Sequence, residues 1–434
     1  MVSAKTTHVH TLIIGGGITG LATAYALGKH GMHDYLVVEA QDRLGGLCAT
    51  TRQDGYQFDF AGHLLHLHTP QGKELIQTLL GNNLQKHTRR AFIYTHGMQV
   101  PYPFQQNLWA LYPELRALCV EELTRLQPAT TAPENFEQWC LQSFGHGLCE
   151  AFFRPYNEKL WGRPLRELTC EWCHPFVPSP HYDEILQSAT HKPTRAPGYN
   201  ATFYYPRKGG IGALINALAK HVANVHTNSP VTCLNLSTKT VWIQNYGTVH
   251  FEHLVNTAPL TTFVNLLEAQ EPLKQAASRL AVQPITVYHV AIARSVFPFS
   301  WIYFPDKNIP FYRVGLQSSF CTDAVAAKDT SLFYIELPGS VPHTPAHEKQ
   351  IWTALHQQGI ISWEDTKLFS AWQDIPHAYV VFNRQRAQSV PFLLSELKKQ
   401  GVFCAGRYGR WTYSFMEYSL REGQQLAQQL AKLV

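Results

Sequence analysis

The sequence is poor in charge. Only 15% of its residues are Asp, Glu, Lys or Arg, against 45% hydrophobic, a balance that excludes an intrinsically disordered chain. It has no cluster of basic residues: 36 Lys and Arg against 31 Asp and Glu leave +5 spread over 434 positions. The footprint of a nucleic-acid binder is therefore missing. No apolar run approaches the ~20 residues of a membrane span. Lys5 followed by the apolar stretch Leu12 to Leu27 imitates a signal peptide, but three consecutive glycines in its middle argue against that. The 9 cysteines are an odd number without a short regular framework, which fits a reducing, cytoplasmic setting better than a disulfide scaffold. Cys170-x-x-Cys173 has no second pair at zinc-ribbon spacing, so no metal is expected. Gly-x-Ser-x-Gly, His-Glu-x-x-His and the nucleoside-triphosphate loop are all absent. So is any internal repeat or signal of oligomeric state.

What is present begins with Gly15-x-Gly17-x-x-Gly20. The apolar run His10 to Ile14 precedes it, small apolar residues at helical spacing (Leu21 to Leu27) follow, and Tyr35 to Glu39 forms a second strand-like run. The order strand, tight turn, helix, strand predicts a βαβ unit. Gly15 permits the turn, Gly17 lets backbone amides approach a pyrophosphate, and Gly20 lets helix and strand pack closely. Glu39 stands where a carboxylate can bind a ribose hydroxyl pair.

Further elements follow the same logic. Residues 101–190, rich in Leu, Trp, Phe and Glu with interrupting prolines, predict a helical insertion. Ala201 to Pro206 predicts a strand, and Gly209-Gly210-Ile211-Gly212 leads into a helix over Ala213 to Val222. Ile285 to Ala293, Trp301 to Pro305, Pro310 to Val314 and Leu332 to Leu337 are β-branched and aromatic, predicting a mixed sheet within about 270–395. Val402 to Gly406 predicts a buried strand and Ser419 to Leu433 a terminal helix. The fold class expected is α/β, with a Rossmann-like domain of glutathione-reductase type, a helical insertion and a mixed sheet. The expected division is a dinucleotide domain assembled from 1–98, 200–270 and 398–434, a helical uridine-side domain at 99–199, and a substrate sheet at 271–397.

Arg43-Leu44-Gly45-Gly46 resembles the second fingerprint of FAD-binding proteins of the glutathione-reductase type, which favours FAD over NAD. Cys404-Ala405-Gly406-Arg407-Tyr408-Gly409 resembles the strand-to-helix turn with which the amine oxidase and protoporphyrinogen oxidase superfamily contacts the flavin. Within that superfamily the chain resembles UDP-galactopyranose mutases, particularly their eukaryotic-type branch. The resemblance rests on Val100-Pro-Tyr-Pro-Phe-Gln105, Ala61-Gly62-His63, Arg154-Pro-Tyr156-Asn157-Glu-Lys159-Leu-Trp161, Pro197-Gly-Tyr-Asn200, Phe311-Tyr312-Arg313, and the surroundings of Tyr379 and Tyr413.

The resemblance implies the following roles. Tyr102, Phe104 and Gln105 hold the uracil, and Asn157 and Asn200 add polar contacts. Gly62 and His63 pack over the flavin, Arg313 and Arg407 clamp the diphosphate, and Tyr379 and Tyr413 contact the same group. It further implies a UDP-sugar substrate and a reduced FAD, with NADPH or NADH as candidate reductants. Pyranose and furanose forms would interconvert through an N5–sugar adduct without net redox, in polysaccharide biosynthesis, with His63, Arg313 and Arg407 nearest the chemistry. A flavin oxidase or dehydrogenase of amine-oxidase type and a non-catalytic binding protein are the alternatives on the same scaffold.

The chain departs from its apparent relatives in four places. Ala61 replaces a glycine, which predicts a less mobile loop if that position needs positive φ. Val380 replaces a proline after Tyr379. An arginine expected after Cys170-Glu171-Trp172 gives way to Cys173-His174-Pro175-Phe176, and an asparagine near the C-terminus gives way to Phe415-Met416-Glu417. Losing two polar contacts predicts a preference for a deoxy or N-acetyl sugar over galactose. Arg195 or His174 is the alternative source of the lost contact.

Overall fold

The computed structural model describes residues 6–127, 129–193 and 200–433. Strand β1 (Thr6–Ile14), helix α1 (Ile18–Lys29) and strand β2 (Tyr35–Val38) form the expected βαβ unit. β1 starts earlier than its apolar run because Thr6 to Val9 pair in register with Thr248 to Phe251. The sheet runs Val231–Asn235, Thr240–Ile243, Gly247–Asn256, β1, β2, Val225–His226, and Val402–Cys404 also pairs with Gly247–Asn256. The first and last segments of the chain thus share one sheet. Its central strands are parallel and their apolar residues are covered on both faces, which is why they read as continuous apolar runs. The terminal helix Met416–Leu430 crosses α1 closely: at Gly423 a β-carbon would lie 2.8 Å from the Ala22 Cβ and the Thr19 carbonyl.

A second sheet runs Lys367–Val380, Val282–Ile292, Ser331–Pro338, Arg313–Leu316, Trp301–Tyr303, Ala91–Thr95, Met98–Pro101. The hairpin at 91–101 therefore belongs with this sheet, whereas the division expected at 98 cuts through it. Ala91–Thr95 pairs in parallel with Trp301–Tyr303, a contact across some two hundred residues that no local pattern shows.

One face of this sheet is a dry core. Tyr288, Val290, Ile302, Val314, Phe333 and Ile335 pack with Ile351 and Leu355, the latter two on helix Pro345–Gln357. The strand period of two sends the alternate residues to the opposite face. Register aligns two rows there: Tyr303, Arg313 and Glu336, then Trp301, Gly315, Tyr334 and His289. The helical insertion, including Pro113–Thr124, Phe136–Leu148 and Arg154–Trp161, holds together by aromatic packing such as Phe144 on Phe153 at 4.4 Å and meets one side of that face where Tyr156 stands 5.0 Å from Tyr303. Among the described residues no helix is long and apolar enough to cross a membrane.

Candidate active site

The three fingerprint segments meet at the start of α1. Gly15 has φ +106°, a turn that glycine alone makes without strain, and a β-carbon on Gly20 would run into the Gly15 carbonyl. Gly17 differs: a β-carbon there meets nothing within 4 Å. It is the N-cap of α1, with no side-chain capping bond and no acidic residue in the first turn. The unpaired amides of a helix start facing open space suit an anionic group. The Gly45 amide donates to the Gly16 carbonyl at 2.8 Å, so the second fingerprint lies directly on the first. Gly406, φ +77°, sits on the first turn of α1, where a β-carbon would lie 2.5 Å from the Thr19 Oγ1. Glu39 accepts from the Gly16 amide at 2.8 Å and the Gln41 amide at 2.9 Å, each carboxylate oxygen retaining a lone pair. Arg43 stacks its guanidinium 4.9 Å from the Phe60 ring. The open side at Gly17 and the uncapped helix start fit a dinucleotide pyrophosphate.

Across from this cradle lies the polar row of the second sheet. Glu336, with no exposed surface, accepts from the Arg313 Nη2 at 2.5 Å and from the Tyr312 hydroxyl at 2.5 Å. Burial opposes the Arg313 charge, but the Glu336 carboxylate outweighs it and raises the guanidinium pKa. The Tyr379 hydroxyl lies 3.4 Å from that of Tyr312. Arg407 enters from the turn after Val402–Cys404. Its Nη2 donates to the Ala378 carbonyl at 2.8 Å, and its guanidinium stands 4.9 Å from the Tyr413 ring centroid. Among the described residues no carboxylate pairs with Arg407. The Nε of each arginine is buried without a partner among them. Burial pushes the phenols of Tyr379 and Tyr413 up, so both remain neutral donors.

His63 joins the two halves. Its Nδ1 lies 3.3 Å from the Ala61 carbonyl, and enclosure together with the positive fields of Arg407 and Arg313 lowers its pKa to about 4. It is a neutral imidazole at physiological pH. Neither Ala61 nor Gly62 has positive φ, so the replacement of glycine by Ala61 strains nothing, and the expected loss of loop mobility has no basis in φ.

Toward the helical insertion, Tyr102 lies 5.5 Å from Tyr303, and Tyr156 stands 5.0 Å from Tyr303. Asn200 is buried and accepts from Arg89, which also donates to the Tyr102 carbonyl at 3.1 Å and stacks 4.9 Å from its ring. Gln105 donates to the Pro178 carbonyl at 2.5 Å, and Asn157 to the Phe153 carbonyl one turn earlier at 2.8 Å. Phe104, expected at the uracil, has no exposed surface and stacks on Phe152 at 5.1 Å. It packs behind the wall. The segment 197–199 before Asn200, and Arg195, lie outside the described residues.

Sequence reading did not single out Glu336, Tyr303, Arg89 or Tyr334. For Glu336 the signal was there: it is the only charge in the apolar strand Ser331–Pro338, and such a residue must have a partner. Tyr303 and Tyr334 become visible only through strand register.

These features define a dinucleotide-binding protein built on two seven-stranded sheets, whose candidate site lies between a Rossmann-like domain and a mixed sheet. The sequence pattern described as Flavin containing amine oxidoreductase matches residues 18–431, and the chain belongs to this family. Among solved structures, reduced UDP-galactopyranose mutase superimposes with a TM-score of 0.93 at 24% identity, covering 98% of this chain and 96% of that one. Cyclohexylamine oxidase from Brevibacterium oxydans IH-35A gives a TM-score of 0.65 at 16% identity, covering 98% of this chain and 99% of the other. In sequence, pseudooxynicotine dehydrogenase of Pseudomonas sp. is 22% identical over 302 residues, 63% of this chain and 56% of that protein. The chain spans about half the length of the curated relatives it matches first. These likenesses agree on the α/β flavoprotein fold.

Proposed function

We propose that this protein is a flavin-dependent UDP-sugar mutase, an isomerase of the UDP-galactopyranose mutase type with FAD as its cofactor. The observation that carries this reading is Arg407: a partly buried cation with no counter-charge or Nε partner among the described residues, flanked by the neutral phenols of Tyr379 and Tyr413. That arrangement suits a diphosphate, to which a guanidinium offers forked, permanently charged donors. Gly15, Gly17, Gly20, Glu39, Arg43, Gly45, Gly46, Gly62 and Gly406 would hold the FAD. When bound and reduced, FAD supplies a nucleophilic N5 for exchange at the anomeric carbon without net oxidation.

The chain's own groups then have limited work to do. Arg407 and the Arg313–Glu336 pair orient the diphosphate and stabilise the charge that grows as it leaves. Tyr102, Tyr303 and Asn200 shape the nucleoside end. His63, neutral, offers a hydrogen bond beside the flavin without adding a charge. Addition of dithionite to the holoprotein, followed by a panel of UDP-pyranoses and UDP-furanoses read by NMR, tests the reading. Interconversion that requires reduction is expected; turnover equally fast in the oxidised state overturns it.

The sequence likeness to pseudooxynicotine dehydrogenase favours a second reading, oxidation of an amine by the same scaffold. An ammonium substrate would have to enter beside the uncompensated Arg407, and like charges in a poorly solvated site repel strongly. Oxygen consumption with amines and none of the interconversion above would promote that reading.

A further inference from the structure

The ring of Tyr334 lies across the bare α-carbon of Gly315, its register partner on the neighbouring strand. A β-carbon at Gly315 would fall inside that ring. The same Cζ–hydroxyl end of the ring also reaches Gly62, where a β-carbon would lie 2.6 Å from Oη and 3.0 Å from Cζ. Neither glycine has positive φ, so both are glycines for space and not for conformation. Tyr334 is itself held: it is 1% exposed, its flanking strands are fixed by hydrogen bonding on both sides, and its hydroxyl sits 3.5 Å from the Ser300 carbonyl. The Cζ–hydroxyl end of the ring thus lies between the sheet at Gly315 and the loop residue before His63.

We infer that Tyr334 is a positioning residue: its hydroxyl is the stop against which Gly62 rests, and this contact sets how far the Gly62–His63 loop stands from the second sheet and hence where His63 sits between Arg313 and Arg407. Gly315 exists to let the ring lie flat enough to reach that loop. The stop acts in one direction. It limits approach of the loop to the sheet, so removing the hydroxyl alone leaves the loop in place, whereas adding a methyl at Gly62 pushes the loop away.

A compensating pair tests this in the flavin-loaded protein. Gly62→Ala should displace His63, moving its titration upward from about 4 as seen in imidazole NMR, and weaken flavin retention at least tenfold. Tyr334→Phe alone should leave both within twofold of the parent. The double variant Gly62→Ala/Tyr334→Phe should recover both, because the 2.6 Å contact is gone and the 3.0 Å contact with Cζ needs only a few tenths of an ångström. Gly315→Ala should not be rescued by Tyr334→Phe, since there the ring itself obstructs. If Gly62→Ala alone does not fold, folding of the double variant is the expected rescue. Damage from Gly62→Ala that persists with Tyr334→Phe, or no damage from Gly62→Ala at all, overturns the inference. It rests on the flavin side of the site and not on the sugar, so rescue in a protein without mutase activity would overturn the proposed reaction alone.

Discussion

At the scale of single residues the two arginines are not equivalent. Arg313 already has a counter-charge in Glu336, and Arg407 has a carbonyl and aromatic faces. Arg407→Ala should therefore weaken UDP binding by about 1.5–3 kcal/mol, the range for charge-assisted hydrogen bonds, with little change in melting temperature. Arg313→Ala leaves the Glu336 carboxylate buried without its cation, a defect costing about 3–5 kcal/mol of stability, so its affinity loss should come with a marked fall in melting temperature. Titration calorimetry with UDP and thermal melts of both variants separate the two; equal melting temperatures would contradict this division of roles. Where the proposed sugar would lie, Phe176 is 4.6 Å from Phe415 and 5.3 Å from Tyr413, and His174 is exposed. An aromatic surface leaves a sugar hydroxyl without replacement for its water. The kcat/KM for 6-deoxy and 2-acetamido UDP-hexofuranoses should exceed that for UDP-galactofuranose, and a clear preference for the unmodified sugar refutes it.

At the scale of elements, the dinucleotide half was legible because its information is local. Gly15, Gly17 and Gly20 announce a turn, the apolar runs on either side announce strand and helix, and Gly45 and Gly406 supply the same message from elsewhere in the chain. A bulky side chain at Gly17 enters the open space before α1, so Gly17→Val should fold with its melting temperature preserved yet purify with flavin absorbance reduced at least tenfold. Undiminished flavin would mean the pyrophosphate does not sit there. The second sheet was legible as strands but not as a surface. Register, not pattern, places Tyr303, Arg313 and Glu336 in one row, and that register depends on pairings between separate segments. The boundary expected at 98 divides the hairpin at 91–101 because its place in this sheet is set by the distant pairing of Ala91–Thr95 with Trp301–Tyr303. Phe104 was misread because an aromatic in a proline-rich turn looks the same whether it faces a ligand or, as here, Phe152.

At the scale of the whole molecule, buried titratable groups set how stability depends on pH. Burial lowers His63 and His66 to about 4 and His289 to about 3, below the unfolded value of about 6.5. Each therefore contributes stability that is complete above pH 6.5 and is lost as pH falls toward its folded pKa. Asp59 acts the other way. Burial outweighs its bonds from Thr50, Tyr205 and the Ile211 amide and raises it to about 6, so its contribution is complete below pH 3.8 and is lost as pH rises through 6. The three histidines act against the one carboxyl, so the balance among these four groups turns destabilising as pH falls from 6.5 toward 4. Melting temperature should thus fall as pH drops below 6.5. His289 packs against Phe58 at 4.3 Å away from the two arginines, so His289→Leu should move the acid transition to lower pH while leaving flavin content and UDP affinity unchanged. A melting temperature that stays level down to pH 4.5, or a His289→Leu variant with an unshifted acid transition, would show that these histidines do not govern acid stability.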